Sequence, residues 1–243
     1  MTRKVGAAYD FTHSGATRYT VRNAGRFILS TSSGLVTVSA TSSDHSANLH
    51  GSLRGTPRHW NRHPRGNLQT RQSSTYTGCS DDQLSQLTDA SSAAISYLNS
   101  SLSYLQRHRR STPRFKAWYG TWSATNYRTI LSDYTALSGI NFSSGVSYDC
   151  SACMISNTYA FTCETCYNQV WLCPYFWWAD TTGEDSQAGT LIHEASHWNG
   201  TADTTDYAYG MDAAKTLASS TALNAVNNAD SHEYFSENDP SLA

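Results

Sequence analysis

The spacing of apolar and polar positions changes character at Cys79. Upstream, Arg18-Tyr-Thr-Val-Arg22 and Leu35-Val-Thr-Val-Ser39 alternate at every second residue and are broken by Gly and Ser, which predicts short strands over residues 5–53. From 55 to 74 the periodicity disappears among Arg, Pro, Gly, Gln and Ser, the composition of a linker. Downstream, Ser80-Asp-Asp-Gln83 has the form of a capping box at a helix start. Leu84, Leu87, Ser91, Ala94, Ile95, Leu98, Leu102 and Leu105 then keep one helical face for about six turns. Residues 115–175 are rich in aromatics and cysteine, with short strand-like runs such as Gln169-Val-Trp-Leu172. Helical spacing returns near Ser186 and runs to the C-terminus with one break around 199–206. The pattern predicts a small β unit over 1–54, a linker over 55–74 and an α+β domain over 75–243.

Composition narrows the class. Of 243 residues, 39% are hydrophobic and 15% charged, which excludes a wholly disordered chain. No apolar run approaches the ~20 residues of a membrane span, so no membrane partner is expected. The formal net charge of −2 conceals a division. Residues 1–78 hold ten Lys/Arg against two Asp/Glu, whereas 79–243 hold seven against seventeen. Such a split predicts two units that attract each other, and the acidic remainder argues against a nucleic-acid partner. All six cysteines lie in the acidic part, and an even count suits three disulfides in an oxidising compartment. Cys150-Ser-Ala-Cys153 and Cys163-Glu-Thr-Cys166 could alternatively form a four-cysteine zinc site. Acceptor triplets at Asn99, Asn141 and Asn199 agree with secretion. The segment from Met1 has no apolar core of signal-peptide length, so a secreted protein whose N-terminus is incomplete here is the expectation.

The chemistry is concentrated in Thr190-Leu-Ile-His193-Glu194-Ala-Ser-His197, an HExxH motif inside an apolar helical stretch. Residues four apart share a helix face, so His193 and His197 can offer ring nitrogens to one ion. Glu194 stands beside that ion and can take a proton from water. A catalytic zinc needs a third protein ligand. Asp203 closes His197-x-x-Gly200-x-x-Asp203, and Asp206 opens Asp206-Tyr-Ala-Tyr209-Gly210; spacing alone favours Asp203. Asp230 and Glu233, three apart in a helical stretch, share a face with no Lys or Arg after Lys215 to neutralise them. From spacing alone they read as a solvated acidic face, with His232 between them at the surface.

At these residues the chain resembles the deuterolysin-type zinc peptidases, or aspzincins, which pair HExxH with an Asp opening Asp-x-x-Tyr-Gly. The shared motifs are Thr-Thr-Gly-x-Asp at 181–185, Gly-Thr-Leu-Ile-His-Glu at 189–194, Asp206-Tyr-Ala-Tyr-Gly210 and Asn228-Ala-Asp-x-His-Glu-Tyr-Phe235. The likeness covers roughly residues 72–243 and is strongest to the fungal members that cut beside lysine. It implies a zincin-like, mainly helical catalytic domain with a small sheet and one Zn2+ per chain. His193, His197 and Asp206 would be the ligands, Glu194 the general base and Tyr209 the hydroxyl that steadies the oxyanion. Asp230 and Glu233 would line the pocket for a lysine ammonium, on the amino side of which the bond is cut. The resemblance also implies disulfides Cys79–Cys150 and Cys153–Cys173. Cys163 and Cys166 fall outside that pattern and are paired with each other.

One departure concerns the third ligand. The family usually carries Gly-Thr within a few residues of its Asp, whereas Gly200-Thr201 here precedes Asp206 by five or more positions and leaves Asp203 as a rival. The expected function is a secreted zinc endopeptidase, a monomer made as a precursor. Its partners would be peptide substrates and its own basic pro-segment, and the mature enzyme would begin near Gln72–Tyr76. The alternatives are a zinc peptidase of broader specificity using Asp203, or a secreted binding protein that keeps the fold without turnover. The basic residues comprise only three lysines against fourteen arginines, a bias that suits an enzyme cutting before lysine.

Overall fold

The structure, a computed structural model, describes residues 74–243 throughout and, before them, the backbones of four strands. β1 (Tyr9–His13) pairs antiparallel with β2 (Thr17–Val21), and β3 (Phe27–Ser32) with β4 (Leu35–Ala40). The two alternating runs noted in the sequence fall on β2 and β4. Nearly all of the linker expected over 55–74 lies outside the described residues.

Ser80 starts α1 (Asp81–Arg107) through a complete capping box. Its Oγ accepts from the Gln83 N–H at 3.3 Å and the Gln83 side chain accepts from the Ser80 N–H at 2.9 Å, while Asp81 and Asp82 complement the helix dipole. The buried stripe is Leu87, Ala90, Ser91, Ala94, Leu98, Ser101 and Leu105. Leu84, Ile95 and Leu102 sit at its half-exposed margin.

Two helices that the apolar pattern did not predict follow, α2 (Pro113–Tyr119) and α3 (Ala124–Leu137). Their inner faces are built from Trp, Tyr and Phe, which are not strong helix formers, so the caps carry the signal. Thr112 accepts from the Phe115 N–H with Pro113 in the first turn, and Ser123 accepts from the Asn126 N–H at 3.0 Å. Gly120 ends α2 at φ +73°, and a Cβ there would meet the Ala218 carbonyl at 2.1 Å.

A four-stranded sheet has the order β5 (Tyr76–Thr77), β6 (Ser147–Asp149), β8 (Gln169–Leu172), β7 (Ala160–Phe161). β5, β6 and β8 run parallel and β7 returns antiparallel to β8. Cys79–Cys150, Cys153–Cys173 and Cys163–Cys166 are disulfides, which removes the alternative of a four-cysteine zinc site.

The remaining helices are α4 (Gln187–Ser196), α5 (Met211–Ser220), α6 (Ala222–Val226) and α7 (Ala229–Glu237). α4 is buried along its whole length, packed between α1 and α7 with β7 alongside. The core is strongly aromatic, including Trp118, Tyr119, Tyr134, Phe142, Trp198 and Phe235. Two of its phenols donate to carbonyls, Tyr134 to His232 O at 2.8 Å and Tyr127 to Leu105 O at 2.7 Å. Both lysines of the described residues lie within helices, Lys116 in α2 and Lys215 in α5, the latter over the Trp118 ring. Among the described residues no helix is long and apolar enough to cross a membrane.

Candidate active site

Ser186 caps α4, its Oγ accepting from the Gly189 N–H at 2.9 Å. Two turns later the helix delivers His193, and one further turn delivers His197, their ring centroids 5.0 Å apart. The far nitrogen of each ring is pinned. His193 Nδ1 lies 2.8 Å from Asp230 Oδ1 and 3.1 Å from Glu233 Oε2, and His197 Nδ1 lies 2.9 Å from the Thr204 carbonyl. With Nδ1 committed to acceptors, both Nε2 atoms are left as the coordinating atoms.

Both Nε2 atoms converge on Asp206 Oδ1, His193 at 3.3 Å and His197 at 3.4 Å. Tetrahedral ligands bonded at about 2.0–2.1 Å stand about 3.3–3.4 Å from one another, so this spacing fits three ligands of one zinc ion. Asp206 Oδ1 is also buried without a hydrogen bond, which a cation would satisfy. Burial opposes the charge on Asp206, yet His197 and His193 hold its carboxyl well below the usual range. Burial likewise opposes protonation of His193, but Asp206, Asp230 and Glu233 outweigh it and raise its pKa well above the ordinary value. His193, Asp230 and Glu233 also form a tight group, but there the distances are those of hydrogen bonds to Nδ1, and the group supports the imidazole.

The loop from 199 to 210 presents the remaining groups. Asp203 sits in it at φ +49°, exposed and outside the cluster, with its N–H on the Trp198 carbonyl. Tyr209, 41% exposed at the rim, donates its hydroxyl to Asp206 Oδ2 at 2.6 Å. Burial first, and then the charge of Asp206, raises the Tyr209 pKa, so the phenol stays a proton donor. Glu194 is buried, and its charge acts on both His197 and Tyr209.

α7 carries Asp230 and Glu233, and both are buried rather than on a solvated face. Asp230 Oδ2 additionally accepts from the Gly210 N–H at 2.5 Å. His232, expected at the surface, is fully buried on the opposite side of α7, where its ring stacks on Tyr134 and its Nε2 lies 3.4 Å from Asp133. The helix is enclosed on both faces, so hydrophilic sequence did not mean exposure.

Sequence reasoning assigned no role to Asn228, whose Oδ1 accepts from the N–H groups of both Tyr207 and Ala208 at 2.9 Å and so shapes the Asp206 loop. It also passed over Thr204, Ser186, Gly189 and Glu237. Two of these had a visible signal: Asn228 opens one shared motif and Gly189 another.

A buried helix presenting two histidines to a carboxylate from the following loop defines a metallohydrolase-type centre. The sequence profile of the family described as Lysine-specific metallo-endopeptidase matches residues 104–237. The peptidyl-Lys metalloendopeptidase of Grifola frondosa is 43% identical over 241 residues, 97% of this chain and 66% of that protein. This chain therefore spans just under two thirds of that relative's length. The peptidyl-Lys metalloendopeptidase of Pleurotus ostreatus is 45% identical over 169 residues, 70% of this chain and 99% of that protein. The solved structure of a zinc peptidase from Grifola frondosa is 47% identical and superposes with a TM-score of 0.66, covering 68% of this chain and all of its own. The chain belongs to the aspzincin family.

Proposed function

We propose that this chain is a zinc endopeptidase that hydrolyses peptide bonds on the amino side of lysine. The observation that supports the reading is that buried Asp230 and Glu233 stand directly behind His193, so that two carboxylates adjoin the candidate metal cluster. The names of the relatives from Grifola frondosa and Pleurotus ostreatus support the same specificity.

His193, His197 and Asp206 would hold the zinc, and exposed Asp203 would not. When bound, zinc supplies a Lewis acid that polarises the scissile carbonyl and eases deprotonation of water. Glu194 accepts the proton of the attacking water and returns it to the leaving amine. Tyr209 turns its hydroxyl from Asp206 to the carbonyl oxygen as negative charge develops there. Asp230 and Thr204 fix the two imidazoles, and the α7 carboxylates select an ammonium-bearing side chain.

Three disulfides support function in an oxidising, extracellular setting. The solved relative accounts for 68% of this chain, which supports reading the basic upstream segment as a propeptide, and its charge, opposite to that of the domain, would dock it there. Salt should weaken that docking, and salt-independent binding would refute its electrostatic origin.

The test is digestion of a denatured protein by the zinc-loaded form lacking the basic segment. New N-termini beginning with lysine are expected; cleavage elsewhere refutes the specificity, and an intact substrate refutes the activity. Glu194→Gln should keep zinc and lose nearly all turnover.

A further inference from the structure

α7 carries three carboxylates on one face, Asp230, Glu233 and Glu237, at positions i, i+3 and i+7. Each is more than nine-tenths buried. Their oxygens are differently committed. Asp230 uses both, one on His193 Nδ1 and one on the Gly210 N–H. Glu233 uses Oε2 on His193 Nδ1. Glu237 uses Oε1, which accepts from the Ser186 N–H at 2.9 Å and the Ser186 hydroxyl at 2.7 Å. Glu237 Oε2 is buried with no hydrogen-bond partner.

Gly189 brings Glu233 and Glu237 together. A Cβ on it would lie 2.0 Å from Glu237 Oε1 and 3.0 Å from Glu233 Cγ. The glycine therefore leaves the space in which the two side chains meet against α4. Beside them stands half-exposed Tyr159, on whose phenol the charges of Asp185, Glu233 and Glu237 all act. Buried carboxylates gathered on one helix face suit a lysine ammonium, which brings three donors.

We propose that Glu237 is a further specificity residue, supplying with Glu233 the acceptors for the substrate ammonium, while Asp230 chiefly positions His193 and the Gly210 turn. This rests on the lysine reading of the site. Holding Ser186 needs only one neutral acceptor, which glutamine would provide; it leaves the second buried oxygen of Glu237 without a purpose. A carboxylate oxygen buried without a partner is costly, and a guest cation removes that cost.

The experiment compares zinc-loaded wild type and Glu237→Gln, both without the basic segment, on two peptides identical except for lysine or norleucine after the cleaved bond. Gln keeps the contacts to Ser186, so zinc content and melting temperature serve as controls. The lysine-over-norleucine ratio of kcat/KM should fall by about 10- to 100-fold, carried mainly by KM. A ratio within twofold of wild type, or an equal loss on both peptides, overturns the proposal. Glu237→Asp provides a second arm, because it keeps the carboxyl group but withdraws it by one methylene. Preference should shift from lysine towards homolysine, and an unshifted preference overturns the proposal. If wild type itself does not favour lysine over norleucine, the lysine reading fails, whatever the variants do.

Discussion

Asp230 Oδ1 stands 2.8 Å from His193 Nδ1, so a buried carboxylate of α7 supports an imidazole of the candidate metal cluster. Asp230→Ala removes that support together with the acceptor of the Gly210 N–H. Apparent zinc affinity should fall by about 10- to 100-fold in competition with a chromophoric chelator, and Asp230→Asn should recover part of it.

Tyr209 reaches the cluster through its hydroxyl, which donates to Asp206 Oδ2. Tyr209→Phe keeps the ring and deletes that donor. The expected result is a fall in kcat of about 10²- to 10³-fold with KM nearly constant and zinc retained, measured by steady-state kinetics and metal analysis.

Glu237 makes stability fall with pH. Burial first, and the charge of Glu233 next, raise its pKa in the folded protein above the ordinary carboxylate range. An unfolded chain gives up this proton near the usual pKa of about 4.3, whereas the folded chain holds it longer. The folded state therefore binds more protons across the interval, and stability declines as pH rises through it. Melting temperatures across that interval should decline more steeply for wild type than for Glu237→Gln. A cation in the pocket relieves the same cost.

The parts of the fold that follow an apolar period were legible in the sequence. α1 could be placed from its capping box and its leucine spacing, and β8 from Gln169-Val-Trp-Leu172. α2 and α3 were not, because their buried faces are aromatic and only Thr112-Pro113 and Ser123 mark their starts. At the site, the HExxH spacing placed His193 and His197 on one helix face without further help. The choice between Asp203 and Asp206 was not legible, since it depends on how the loop folds back: Asn228 holds the Tyr207 and Ala208 amides, while Asp203 is spent on a left-handed turn. Glu237 was invisible for a related reason. Its neighbours Ser186 and Gly189 are about fifty residues away, and only the packing of α7 on α4 brings them together.

The bonds preceding Lys116 and Lys215 join them to Phe115 and Ala214, both buried inside helices. An endopeptidase acts on extended chain, so under the proposed lysine specificity a folded copy of this domain offers its fellows nothing to cut. An unfolded copy offers two sites. Incubated alone at moderate temperature, the zinc-loaded protein should stay whole; near its melting point it should yield fragments beginning at Lys116 and Lys215, resolved by mass spectrometry. Its working lifetime in solution then becomes a clock set by its rate of unfolding, because molecules that open are consumed by those still closed before they can refold or aggregate. Under that specificity such a population would purge its own failures, and the few lysines of the domain would mark where.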